Sequence, residues 1–114
     1  MQIINKYFDS VLVIKLDQFN DNRGFFSEFY HKERYESLGI KDRFIQDNHS
    51  RSSHNVLRGL HYTINNYQAQ LMTVLNGKVF DVVIDLREDS KYFGQYENIV
   101  LEDKDIQQIY IPPG

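Results

Sequence analysis

The chain has 114 residues, 13 basic against 16 acidic side chains, and no cysteine. That length suits one domain, the absence of Cys excludes disulfides and thiolate-ligated metal, and a net charge of −3 without a basic block argues against a nucleic-acid backbone binder. No apolar run approaches the ~18 residues of a membrane span. The start, MQIINKYFDS, lacks the basic and apolar regions of a signal peptide, so the expected location is the cytoplasm, with no nucleic-acid or membrane partner. Ile, Val, Thr, Phe and Tyr together number 37, against 12 for Ala, Leu and Met. β-branched and aromatic side chains suit a pleated sheet, so an all-β protein is expected.

In chain order, a strand is expected over Val11–Leu16, a polar loop over Asp17–Gly24, and a second strand over Gly24–Tyr30 with Phe26, Glu28 and Tyr30 on one face. His31–Leu38 is the one helix, with Gly39 placed as its C-terminal cap. Further strands are expected over Phe44–Asn48, Val56–Tyr62, Ala69–Leu75, Lys78–Leu86, Tyr96–Leu101 and Gln107–Ile111. Asn76-Gly77 reads as a hairpin turn, and Pro112-Pro113-Gly114 stops the last strand. Many short strands with tight turns describe a sandwich or barrel. In the strand from Lys78, Phe80, Val82, Ile84 and Leu86 form an apolar face, while Val79, Asp81, Val83, Asp85 and Arg87 form a mixed one. The mixed face is either solvent-facing, the commoner arrangement, or the polar mouth of a barrel.

Three polar patches invite chemistry: Asn22-Arg23-Gly24 with Glu28, Gln46-Asp47-Asn48-His49-Ser50, and Arg58-Gly59-Leu60-His61-Tyr62. His61 is either a core histidine bonded to backbone or a general base, since histidine titrates near neutrality. Arg58 is either a structural ion-pair partner or a planar clamp for phosphate. Strict alternation places Arg58 and His61 on opposite faces, and a bulge at Gly59 would bring them together. The histidines form no His-x-His pair, so no metal site is supported. Neither a nucleophile elbow nor a Gly-rich phosphate loop is present.

These patches resemble, in order, the motifs of the dTDP-4-dehydrorhamnose 3,5-epimerase family. Asp21 to Glu28 is similar to its D-x-R-G-F-F-x-E stretch, Phe44 to Ser50 to F-x-Q-D-N-x-S, and Val56 to Tyr62 to V-L-R-G-L-H-[FY]. Gly77 to Arg87 and Tyr110 to Gly114 follow in family order. The resemblance implies a cupin-like jelly-roll β-barrel with one short helix, forming a single domain over residues 1–114. It implies homodimers with exchanged N-terminal strands, and neither metal nor cofactor. The implied substrate is a nucleotide-linked 4-keto-6-deoxy sugar on the route to activated L-rhamnose for surface polysaccharide, with inversion at C3 and C5.

That reaction needs a base, an acid on the opposite face, and stabilisation of the enolate oxygen. By resemblance His61 is the base. Arg58, Gln46 and Asn48 hold diphosphate and sugar. Arg23 and Glu28 reach the nucleotide, and Phe26 stacks on its base, with plain core packing as the competing role. The chain departs from the pattern twice. Family members read Q-A-K-L after the His motif, with the Lys near the enolate oxygen, whereas this chain reads Gln68-Ala69-Gln70-Leu71. Gln70 is thus the uncharged occupant of a catalytic position. The family also continues past Pro-Pro-Gly with an A-H-G-F segment, a second His, an acid Tyr and a carboxylate that orients the base. The chain is either a C-terminally truncated epimerase or a short one. A non-catalytic or altered-specificity nucleotide-sugar-binding relative is the alternative function.

Overall fold

A computed structural model describes residues 1–65 and 68–114. Its strands are β1 (Gln2–Tyr7), β2 (Val11–Lys15), β3 (Phe19–Asp21), β4 (Gly24–Phe26), β5 (Gln70–Thr73), β6 (Lys78–Ile84), β7 (Tyr96–Glu102) and β8 (Gln107–Ile111), with one helix, α1 (Lys32–Ser37). Antiparallel pairing builds a four-stranded sheet in the order β1-β2-β8-β5, a β3–β4 hairpin and a β6–β7 pair.

The four-stranded sheet is apolar on both faces because both are covered. Val11 and Val13 of β2 and Ile109 of β8 pack with Val83, Ile99 and Leu101 of the β6–β7 pair. The alternate residues Leu12, Ile14 and Tyr110 turn to the other side, where Tyr35 and Ile40 around α1 cover them. The order of layers is therefore α1, the four-stranded sheet, then β6–β7. A run such as Val11-Leu12-Val13-Ile14, buried at every position, is what a doubly covered strand requires.

Helix α1 ends as its sequence dictates. Gly39 takes φ +91, its N–H donates to the Glu36 carbonyl, and the Ile40 N–H donates to the Tyr35 carbonyl. This is a Schellman closure, and the buried Tyr35 and Ile40 side chains supply its apolar contact. The single hydroxyl proton of Tyr35 is shared between the carbonyl of Phe29, at 2.6 Å, and the side-chain oxygen of Gln108. Gln108, itself buried, donates to the same Phe29 carbonyl at 2.9 Å. The buried amide is satisfied on both sides, as an interior polar group must be.

Several expectations need correction. The strand expected over Gly24–Tyr30 ends at Phe26, and the loop before it contains β3. Strand β1 was not expected: its pairing with β2 shifts register between Ile3 and Asn5, and that irregularity erases the two-residue alternation. Asn76-Gly77 does turn the chain, but β5 pairs with β8 and β6 with β7, so the two flanking strands enter different sheets. Phe44–Asn48 and Val56–Tyr62 form no strand. Phe44 packs against the α1-side core, but most of their apolar side chains do not: Ile45 is 83% exposed and Leu57 91%. β-like composition makes a strand only where a neighbouring backbone completes the ladder.

The mixed face of β6 is the inner one. Val83 and Asp85 are buried, whereas Phe80 on the apolar face is 66% exposed.

Candidate functional site

Arg23 sits in the turn of the β3–β4 hairpin. Its guanidinium reaches Asp21 at 2.5 Å and 3.1 Å, and its backbone N–H donates to the same carboxylate at 2.8 Å. The guanidinium holds the Asp21 carboxyl below its ordinary range, and Asp21 raises Arg23 in return. Phe26, at the end of β4, is 67% exposed and leans on Phe19 with ring centroids 6.5 Å apart. Its outward position is not that of a core residue. Glu28 accepts a bond from Arg34 at 2.9 Å.

The other sequence-derived residues lie in the long irregular stretch between α1 and β5. Gln46 donates to Asn48 at 3.1 Å, so these two share one local bond. Arg58 is held by Ser52 Oγ at 2.9 Å and by the Arg51 carbonyl at 3.5 Å. Gly59 adopts φ +116, which breaks the extended run between Arg58 and His61. A bulge needs a ladder to interrupt, so the alternation argument does not apply here. A Cβ at Gly59 would lie 3.6 Å from the backbone N and ring Nδ1 of His61. His61 is exposed, as is Gln70 at the start of β5. The structure thus gathers Gln46 with Asn48, Arg23 with Asp21, and His61 with Gly59. Among the described residues, no hydrogen bond or ion pair joins the three patches to one another.

Two acids that composition left undecided become distinct once the inner face of β6 is known. Asp85 accepts from Arg87 Nη2 at 2.6 Å, Arg87 Nε at 2.9 Å, the Arg87 backbone at 3.0 Å and Ser90 Oγ at 2.6 Å. The guanidinium, foremost, holds its carboxyl far below the ordinary range. Arg87 also donates to the Phe8 carbonyl at 3.2 Å, and the Leu86 N–H to the Gly114 carbonyl at 2.9 Å. This cluster fastens the end of β6 to the β1–β2 turn and to the Pro-Pro-Gly segment, a structural role. Asp81 is the opposite case. Its Oδ2 is buried without a hydrogen-bond partner among the described residues, and burial raises its carboxyl above the ordinary value.

A family model for dTDP-4-dehydrorhamnose 3,5-epimerase matches residues 5–114. The chain belongs to the dTDP-4-dehydrorhamnose 3,5-epimerase family. The Escherichia coli dTDP-4-dehydrorhamnose 3,5-epimerase is 42% identical over 116 residues, covering all of this chain and 63% of that protein. A dTDP-6-deoxy-D-glucose-3,5-epimerase of Legionella pneumophila, solved with dTDP-4-keto-L-rhamnose, is 46% identical with a TM-score of 0.95. That match covers 99% of this chain and 61% of the Legionella chain. The Bacillus anthracis enzyme, solved with TDP and pyrophosphate, is 33% identical with a TM-score of 0.92 over 99% of this chain and 66% of its own. The chain therefore spans somewhat less than two thirds of the length of these three relatives. Its strands and single helix are those of the cupin-like jelly roll of this epimerase family.

Proposed function

We propose that this chain carries the substrate-binding and base-bearing part of an epimerase that inverts C3 and C5 of a dTDP-linked 4-keto-6-deoxy sugar. The observation that carries the reading is the likeness to the Legionella enzyme, which holds dTDP-4-keto-L-rhamnose and matches 99% of this chain. A homodimer in the cytoplasm, serving surface-polysaccharide synthesis, completes the reading.

The chemistry follows from the ketone. A C–H beside C4 is a weak acid, and its removal places the electron pair on the ketone oxygen as an enolate. His61 takes that proton through its exposed imidazole. Reprotonation of the same carbon from the opposite face inverts it, and the ketone re-forms. Arg58, with Gln46 and Asn48, binds diphosphate and sugar through charge-assisted and amide hydrogen bonds. Arg23 and Glu28 contact the nucleotide, and the exposed ring of Phe26 offers a face to the base. Gln70 donates an amide N–H toward the developing oxyanion. No cofactor or metal is invoked.

Gln70 also motivates a second reading. An amide carries no charge, and a missing oxyanion donor costs roughly 10²–10³ in kcat. A non-catalytic nucleotide-sugar-binding protein would keep Arg58 and Phe26 and lose the reaction.

One experiment separates the two. The protein is incubated with dTDP-4-keto-6-deoxyglucose in D2O and followed by NMR, while calorimetry measures dTDP binding. Binding with deuterium entering at C3 and C5 is the result expected for the epimerase, and entry at one carbon defines a narrower one. Binding without exchange supports the second reading. Absence of dTDP binding contradicts both.

A further inference from the structure

Glu28 is held from outside its own motif. Its Oε1 accepts from Arg34 Nη1, in the last turn of α1, at 2.9 Å. Its other oxygen, Oε2, takes no hydrogen bond among the described residues. The Glu28 side chain is 31% exposed and that of Arg34 61%. An ion pair between two mobile surface side chains orders little, because fixing both costs as much entropy as the attraction returns. Here the backbone at each end is already fixed. Next to Arg34, Tyr35 is buried, and its hydroxyl proton is shared with the carbonyl of Phe29, next to Glu28, at 2.6 Å. Gln108 donates to that same carbonyl at 2.9 Å. On the other side of Glu28, Ser27 Oγ donates to the Asp17 carbonyl at 2.8 Å. The buried Tyr35–Phe29 bond and the outer Arg34–Glu28 bond thus join the same two segments, each between residues six apart.

Glu28 is also close to the surface offered to a nucleoside. Phe26 is two residues away, so their Cα atoms are separated by at most ~7 Å. The Phe26 ring is exposed, and a hollow lined by Phe19, Asn20, Arg23 and Phe26 opens on the same hairpin. A nucleoside stacked on Phe26 therefore lies beside a carboxylate whose direction is set. A carboxylate only accepts, so its ligand must bring an N–H or an O–H. The nucleoside of dTDP has two such donors, the N3–H of the base and the 3′-OH of the sugar.

We propose that Arg34 is a positioning residue for the nucleotide: it holds Glu28 by Oε1 and so presents Oε2 to a donor of the nucleoside. The inference rests on the nucleotide-binding reading, which the epimerase and its non-catalytic alternative share. Arg34 acts through Glu28 and does not itself touch the ligand. Its charge also offsets that of Glu28 close to an anionic diphosphate. Arg34 lies in α1, outside the residues that the sequence motifs single out.

The test is a double-mutant cycle on dTDP affinity, measured by calorimetry with Arg34→Met, Glu28→Ala and the two combined. Glu28→Ala is expected to weaken binding about tenfold or more, as loss of a charge-assisted hydrogen bond does. Arg34→Met is expected to weaken it about two- to fivefold alone and to have no further effect when added to Glu28→Ala. Arg34→Lys keeps a charge and a donor and is expected to recover most of the affinity. Stoichiometry in the same titrations reports the folded fraction of each variant. Two analogues identify the donor: 3′-deoxythymidine diphosphate lacks the hydroxyl, and N3-methyl-dTDP lacks the N–H. Loss of the Arg34→Met effect with one of them supports the inference and assigns the donor. An Arg34→Met effect that survives both analogues, or survives Glu28→Ala, means direct contact by Arg34 and overturns the inference. Unchanged affinity in Arg34→Met or in Glu28→Ala overturns it as well. Absence of dTDP binding by the unaltered protein contradicts the nucleotide-binding reading, and the positioning role with it.

Discussion

Asp81 and Asp85 are separated by one inner-facing valine on β6, and their environments drive them in opposite directions. Arg87, Ser90 and a backbone N–H satisfy Asp85 as an anion, and its carboxyl lies far below the ordinary range. Its contribution to stability is therefore full above the unfolded aspartate value, near ~3.9, and is lost as pH falls through its lower folded value. Asp81 is raised by burial, so it favours the folded state on the acid side and loses that contribution as pH rises through its folded value. The Asp85 side chain is 1% exposed and that of Arg87 35%. Removing the cation thus strands a buried carboxylate. Arg87→Met is expected to cost ~3–5 kcal/mol in urea unfolding, and adding Asp85→Asn to that variant should restore part of the loss. A second change that deepens the loss would contradict the charge argument. None of this was legible in the sequence. The alternation of Asp, Val, Asp and Arg is compatible with a wet face or an inner one, and only the packing of Val83 decides. The motif residues were legible as residue types. Their contacts were not, because Gln46–Asn48 and Arg58–Ser52 are side-chain bonds made inside an irregular stretch.

Elements with a local cause were read correctly. Helix α1 carries its stop signal in Gly39, and the Val11–Lys15 strand carries a continuous apolar run. Gly39→Ala is expected to lower stability by about 1 kcal/mol, because a Cβ is strained at φ +91 although open space surrounds it. An unchanged unfolding midpoint would show that the helix end relaxes. Elements with a non-local cause were misread. The register shift in β1 disguised a strand, and β-like stretches at Phe44–Asn48 and Val56–Tyr62 lack a ladder. The turn at Asn76-Gly77 was legible, but the destination of the flanking strands depends on β8 and β7, which lie far along the chain.

Across the whole fold, the three layers place a packed interior beside an exposed surface that carries the proposed site residues. The Asp85–Arg87 cluster is hydrogen-bonded around a buried carboxylate, whereas Arg23, Phe26, Arg58, His61 and Gln70 are all exposed. Among the described residues no helix is long and apolar enough to cross a membrane. Membership in the epimerase family was legible because five motifs occur in order, and the match over residues 5–114 bears it out.

His61→Ala removes the group proposed to take the proton next to the ketone. The variant is given dTDP-4-keto-6-deoxyglucose in D2O, with dTDP binding measured alongside as a check on folding. Binding is expected to persist while deuterium incorporation at C3 and C5 falls by at least ~10², as removal of a general base requires. Incorporation at the unaltered rate in His61→Ala would contradict that role.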